Sequence, residues 1–356
     1  MRIARAFTIA AVVALSAAAC STTSDTGPSA SPEATASGTA ASTHVTVVTH
    51  DSFAVPDDVL AAFEEESGLD VTFVAPGDAG TLVNQLILTK DAPLGDVVYG
   101  VDNTFASRAL DAGIFADYAS KAPAAADAAA YSIDGSAALT AVDFSDVCLN
   151  VDLAAFSGDL AAPTTLDDLL DPAYEGMLSV SNPATSSPGL AFLLATVAAK
   201  GDAWPEYWAA LKDNGLRVTA SWSDTYYTDF SAPQYQGDYP IVLSYASSPP
   251  FEVVDGEPTT AALLDTCFRQ VEYAGVLTGA QNPEGAQQVV DWMLSDAFQA
   301  SIPENMYVYP VSSAVDVPAE WAEYAPLAEN PWSVDPATID AHRDEWISTW
   351  TDTVLG

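Results

Sequence analysis

The chain has 356 residues, ample for a full core and two lobes, and 10 basic against 49 acidic side chains give it a formal charge of −39. Such a charge repels phosphate backbones and anionic lipid and draws a cation inward, so nucleic acid is excluded as a partner. A solvated, salt-tolerant surface accounts for much of the same excess.

Residues 1–19 place Arg2 and Arg5 before an Ala-rich apolar run too short to span a bilayer, which is the pattern of a secretory signal peptide. Ala17-Ala18-Ala19-Cys20 resembles a bacterial lipoprotein box, with Ala17 where Leu is more usual, so lipidation is expected at Cys20; ordinary cleavage after a small residue is the alternative. The stretch 20–43 holds Ser, Thr, Ala, Gly and Pro but no large apolar side chain, and is expected to be a flexible tether. An extracytoplasmic domain held to the cell membrane by lipid alone follows. Loss of the signal leaves eight basic residues against 49 acidic ones.

From His44 the pattern turns to folded structure. HVTVVTH reads as a buried strand ending in His50 and Asp51, at the strand edge where open α/β sheets bind ligands. A helix over VPDDVLAAFEEES with Gly68 as its stop, a strand LDVTFVAPGD, a helix GTLVNQLILTKD and a strand DVVYGV ending at Asp102 complete a βαβαβ order. That order predicts a mostly parallel sheet with helices on both faces. An Ala-rich, loop-like run from Asp117 to Tyr131 precedes an extended segment around Cys148, which suits a crossover into a second lobe. Ser186 and Ser187 sit in a Ser, Thr and Gly-rich loop that feeds the helix LAFLLATVAAKG, either a ligand-binding loop or an ordinary helix cap.

The stretch 217–251 sets Trp222, Tyr226, Tyr227, Tyr235, Tyr239, Tyr245 and Phe251 among turn formers, off any helix or strand period, so several rings are expected on loops that bind something. Strands are expected after Phe251, then two helices, the loop around Tyr307 and Tyr309, and a final helix from Asp335-Pro336 packing through Ile339, Trp346, Ile347 and Trp350. With Cys20 lipidated, Cys148 and Cys267 remain as an even pair, for which a disulfide is expected; two buried thiols or one nucleophile are the alternatives. No CxxC, HExxH or paired-His spacing appears, and neither a metal nor a cofactor is expected.

THDSF (49–53), YGVDNT (99–104), NPATSSPGL (182–190), ASWSDTY (220–226), IVLSYASSP (241–249) and SDAFQASIPENMYVYPV (295–311) together resemble the thiamine-binding proteins of bacterial ABC importers. The resemblance implies an α/β, two-lobed, periplasmic-binding-protein-like (type II) fold with a ligand cleft between the lobes. Lobe 1 is then expected over 44–141 and 273–311, and lobe 2 over 142–272 and 312–356. It further implies a monomeric receptor, not an enzyme, that captures thiamine or a thiamine phosphate and hands it to a membrane permease. Trp222 and Tyr245 would stack on the ligand rings, with Tyr226 as wall and Tyr307 where relatives often carry Trp. His50 stands where relatives often carry Tyr. Asp51, Asp78 and Asp102 match acidic positions and Ser186 and Ser187 loop hydroxyls.

The chemistry is compatible: thiamine carries a permanent thiazolium cation, and a cation over an aromatic face gains roughly 0.5–2 kcal/mol. A protonated His50 would oppose that cation, so affinity is expected to rise through the ordinary imidazole range near about 6.5. Eight basic residues across the mature chain favour unphosphorylated thiamine. Two rival readings remain: a ferric-ion binder using Tyr226 and Tyr227, and a thiamine-cleaving enzyme with a Cys nucleophile.

Overall fold

The computed structural model describes residues 42–133 and 135–356; the signal peptide, Cys20 and the tether up to residue 41 lie outside the described residues. The chain begins with β1 (His44–His50), α1 (Asp57–Ser67), β2 (Asp70–Gly77), α2 (Ala79–Leu88) and β3 (Val97–Asp102). Val45, Val47 and Val48 are fully buried in β1, which pairs in parallel with β2 on one side and β3 on the other. Gly68, at φ 71°, closes α1 in a left-handed conformation that suits glycine. Next come α3 (Ala106–Asp111), β4 (Phe115–Ala116) and α4 (Ala125–Ala128), so part of the run expected as loop is helical.

The thirteen-residue β5 (Thr140–Asp152) leads to β6 (Leu178–Ser181), α5 (Ser187–Lys200), α6 (Trp204–Asp213), β7 (Arg217–Thr219), α7 (Trp222–Asp224) and β8 (Ile241–Tyr245). The short pair β9 (Val253–Val254) and β10 (Glu257–Pro258) then turns into β11 (Thr260–Leu277), a single 18-residue strand whose register against β5 shifts between Leu263 and Phe268, where separate strands were expected. The chain finishes with α8 (Pro283–Met293), α9 (Asp296–Met306), β12 (Tyr309–Pro310), α10 (Trp321–Tyr324) and α11 (Pro336–Val354).

The main sheet runs in the order β2-β1-β3-β11-β5-β8-β6-β7, with β4 on β11 and β12 on β5. Its two ends are parallel: β2, β1 and β3 in one lobe, and β8, β6 and β7 in the other. β5 and β11 pair antiparallel through the middle and serve both lobes. Residues 272–276 of β11 pair with β3, whereas residues 147–151 of β5 pair with β8. This is the mixed α/β, two-lobed, type II arrangement expected from the sequence.

Helix α5 is buried from Ser187 to Thr196, and Trp208 of α6 packs edge-on against both Phe192 and Trp350 at 5.5 Å. Ile339 and Trp350 of α11 are fully enclosed, and Trp346 and Ile347 are partly so, which matches the expected packing face. Cys148 on β5 and Cys267 on β11 form a disulfide across 119 residues of sequence. Among the described residues no helix is long and apolar enough to cross a membrane. Closing so long a loop restricts the unfolded chain, so reducing the disulfide is expected to lower unfolding free energy by about 2–5 kcal/mol. Guanidinium unfolding with and without reductant measures this; identical midpoints would exclude it.

Candidate functional site

Short polar turns at the ends of the central strands bring the candidate residues together. His50 ends β1, and its ring rests against Gly100 of β3, where φ is 95° and any Cβ would come within 2.3 Å of His50 Cδ2. The glycine therefore creates the seat of the histidine. Asp78 caps α2 beside the β2-β1-β3 end of the sheet, yet its carboxylate reaches the segments that carry Ser187 and Trp222. It accepts from its neighbour Ala79 N at 2.6 Å, from Ser187 N at 3.3 Å and from Trp222 N at 2.9 Å. Beside it the backbones meet directly: Thr81 N donates to Thr185 O at 3.1 Å, and a Cβ on Gly80 would lie 2.6 Å from the Thr185 carbonyl carbon. The two sides of the cleft thus touch directly at this point.

Between them lies a cavity of about 150 Å³. His50, Ser52 and Glu272 form one wall, and Asn305, Met306, Tyr307 and Val308 form a second. The segment from α7 to just beyond β8 supplies Trp222, Tyr226, Tyr227, Tyr245, Ser248 and Phe251. A smaller cavity of about 10 Å³ shares His50, Trp222, Tyr245 and Glu272 and adds Asp78 and Ser187. No lysine or arginine among the described residues lines either space.

The rings are packed in a definite order. Trp222 stacks on Tyr226 at 5.1 Å and 15°, so one indole face is covered, and its Nε1 donates to Ser244 Oγ at 3.1 Å. Tyr227 and Tyr245 meet it edge-on at 5.3 and 5.9 Å. The Tyr226 hydroxyl donates to the fully buried Glu252 at 3.2 Å. Tyr307, at φ 51° after α9, occupies a left-handed position that costs a non-glycine residue energy, and it packs edge-on against Phe251 at 4.7 Å. These rings sit on the α7 turn and the π turn Thr225–Asp229 as well as at strand and helix ends, so the expectation of loops is corrected for Trp222, Tyr226 and Tyr227. Their aperiodic spacing reflects that irregular turn.

Of the residues singled out in sequence, His50, Trp222, Tyr226, Tyr245 and Tyr307 face the larger cavity, and Asp78 and Ser187 the smaller one. Ser186 lies just behind, accepting from Gly189 N at 3.4 Å to cap α5. Asp102 is buried behind the wall, holding Thr104 Oγ1, Phe105 N and Gln270 Nε2, and Asp51 is exposed and lines neither space. The sequence reading missed Glu272, and it gave Tyr227 no part in the thiamine site. The signal for Glu272 was available: a lone carboxyl inside the apolar run Val271-Glu272-Tyr273-Ala274.

Burial governs the electrostatics. It pushes His50 down to about 4, so the imidazole is neutral through the ordinary histidine range, and the expected His50 switch near 6.5 is corrected. Burial pushes Asp78 up to about 6, against the amide donors that favour its charged form, and Asp102 up to about 7. Asp143 and Glu272 are both driven upward by burial, Glu272 further by repulsion from Asp143.

The folding match to known proteins is extensive. Residues 92–332 match the family model described as bacterial extracellular solute-binding protein, and the chain belongs to that family of binding proteins. It is 30% identical over 316 residues to the thiamine-binding periplasmic protein of Escherichia coli K12, covering 86% of this chain and 92% of that one. A solved periplasmic thiamin binding protein superimposes with a TM-score of 0.76 at 29% identity, covering 87% of this chain and 96% of that one. Iron-bound HitA from Pseudomonas aeruginosa shares the fold alone, with a TM-score of 0.69 at 22% identity over 87% of this chain and 99% of that one.

These shifts set the pH dependence of the empty protein. Asp78, Asp102, Asp143 and Glu272 keep protons in the folded state that the unfolded chain has released, so they lose stabilising effect as pH rises from about 4 toward neutrality. His50 acts oppositely between about 4 and 6.5, where the unfolded chain takes up a proton that the folded one refuses. Four acids outweigh one histidine. The melting temperature of ligand-free protein is expected to be higher at about pH 5.5 than at about pH 7.5, with the difference reduced in Glu272→Gln. A calorimetric Tm that falls on acidification would refute it.

Proposed function

We propose that this protein is an extracytoplasmic receptor that captures thiamine between its lobes and delivers it to the membrane permease of an ABC importer. The observation that carries the reading is the cleft itself: aromatic rings including Tyr307 surround a space in which, among the described residues, Glu272 is the one acidic wall residue and no lysine or arginine is present. That composition suits a flat, aromatic, permanently cationic ligand. The thiamine-binding relatives at 30% and 29% identity over most of the chain support the same ligand.

Trp222 would present its uncovered face to one ligand ring, with Tyr245, Tyr227 and Tyr307 completing the enclosure. Asp78 would act as the latch that joins the lobes. The amides of Ala79, Ser187 and Trp222 are the donors an anionic phosphate would use, and Asp78 already occupies them. This supports unphosphorylated thiamine over its esters. We further propose lobes over 44–141 with 273–311 and 142–272 with 312–356, a monomer, and a lipid anchor at Cys20.

Ferric-ion capture by Tyr226 and Tyr227 is less supported. Hard iron needs phenolates, whereas burial and Glu252 hold the Tyr226 hydroxyl well above the ordinary phenol range. Cysteine chemistry on thiamine is not supported either, since the disulfide takes both Cys148 and Cys267.

Calorimetry and Trp fluorescence with thiamine and its mono- and diphosphate test the assignment. Thiamine is expected to bind tightest, and Trp222→Ala to weaken it by roughly tenfold or more through loss of one stacking face. Equal or tighter binding of the diphosphate would exclude the proposed selectivity, and absence of thiamine binding would exclude the function.

A further inference from the structure

Three carboxyls stand in a row across three adjacent strands. Glu272 of β11 is directly opposite Asp102 of β3 on one side and Asp143 of β5 on the other. Residues so paired project to the same side of a sheet, and like charges there repel. All three are almost wholly enclosed; their partners outside the row are hydroxyl, amide and phenol groups, and Asp143 and Glu272 are also hydrogen-bonding neighbours of each other. Tyr99 Oη donates to Asp143 Oδ2 at 2.5 Å and lies 3.4 Å from Glu272 Oε2.

The groups facing Glu272 are His50 from β1, Asp78 from the start of α2, Tyr99 and Asp102 from β3, Asp143 from β5 and Tyr245 from β8. Apart from the imidazole, which burial keeps neutral, none can carry positive charge. Among these groups, two buried atoms are left without hydrogen-bond partners: Asp143 Oδ1, and His50 Nε2, which lies 3.4 Å from Glu272 Oε1. Glu272 is the member of the row that reaches both cavities.

We propose that Glu272 is the counter-ion of the cationic ligand and that ligand entry displaces its proton, so that capture releases about one proton to solvent. The proposal rests on the reading that the ligand is thiamine. In the empty cleft, repulsion along the row and exclusion of water favour a neutral Glu272 carboxyl. When a thiazolium enters, the Glu272 O–H bond breaks, the proton leaves through the cleft mouth to buffer, and the carboxylate stays beside the fixed cation. No covalent bond to the ligand forms. Net charge in the closed site is the same before and after, because the ligand's positive charge replaces that of the proton. The direction of the Glu272 shift, well above the ordinary carboxylate range, agrees with a proton held at neutral pH.

The measurement is calorimetric titration of the full mature protein with thiamine near neutral pH, in phosphate and in Tris, whose ionisation enthalpies differ. About one proton is expected to appear as buffer-dependent heat, and affinity is expected to fall about tenfold per unit as the pH is lowered from neutrality toward about 5. In Glu272→Gln the buffer dependence should vanish and thiamine affinity fall by roughly tenfold or more. A neutral isostere with carbon in place of the thiazolium nitrogen should bind wild type and variant alike, without proton release. The wild-type buffer series decides the coupling without any variant. Thiamine binding with buffer-independent heat, or release undiminished in Glu272→Gln, overturns the inference and leaves the thiamine reading intact. No thiamine binding in any buffer overturns both.

Discussion

The structure depends on one pairing, that of β5 with β11. β11 pairs with one parallel end of the sheet and β5 with the other, so their antiparallel ladder joins those ends, carries Glu272 to the cleft and seats the disulfide. A ladder in that position must be buried, and burial penalises any charge on it. The chain nevertheless places Asp143 opposite Glu272 there. Burial and like-charge repulsion therefore disfavour ionisation of both carboxyls there.

The second organising contact is Asp78. Its carboxylate holds one amide in its own lobe and two in the other, at the point where the backbones of Thr81 and Thr185 also meet. A single small side chain thereby fixes both the distance between the lobes and the orientation of the turn that carries Trp222. Trp222 donates its own backbone amide to that carboxylate, so the turn that carries its ring is tied to the same contact.

Much of this was legible in the sequence, and the reasons differ by element. The strand and helix order from His44 to Asp102 could be read because buried valines and capped helices leave periodic marks. Trp222, Tyr245 and Tyr307 stood out as rings within recognisable segments. Glu272 did not, since its meaning comes from Asp102 and Asp143, which reach it only through strand pairing across long sequence separations. The pH behaviour of His50 was misread for a related reason: the ring was assigned its solution chemistry, whereas the enclosing fold removes the water that a charged imidazole needs.

Gly100 extends that lesson to lineage. Its bare Cα is what admits the ring of residue 50, with no room for even a methyl group between them. The two positions are therefore a single unit of inheritance: a descendant that gains a side chain at 100 must shrink or re-aim residue 50, and one that restores glycine regains freedom to vary it. Related chains should accordingly vary in the aromatic at the first strand's end only while the partner strand, half a hundred residues away, stays bare.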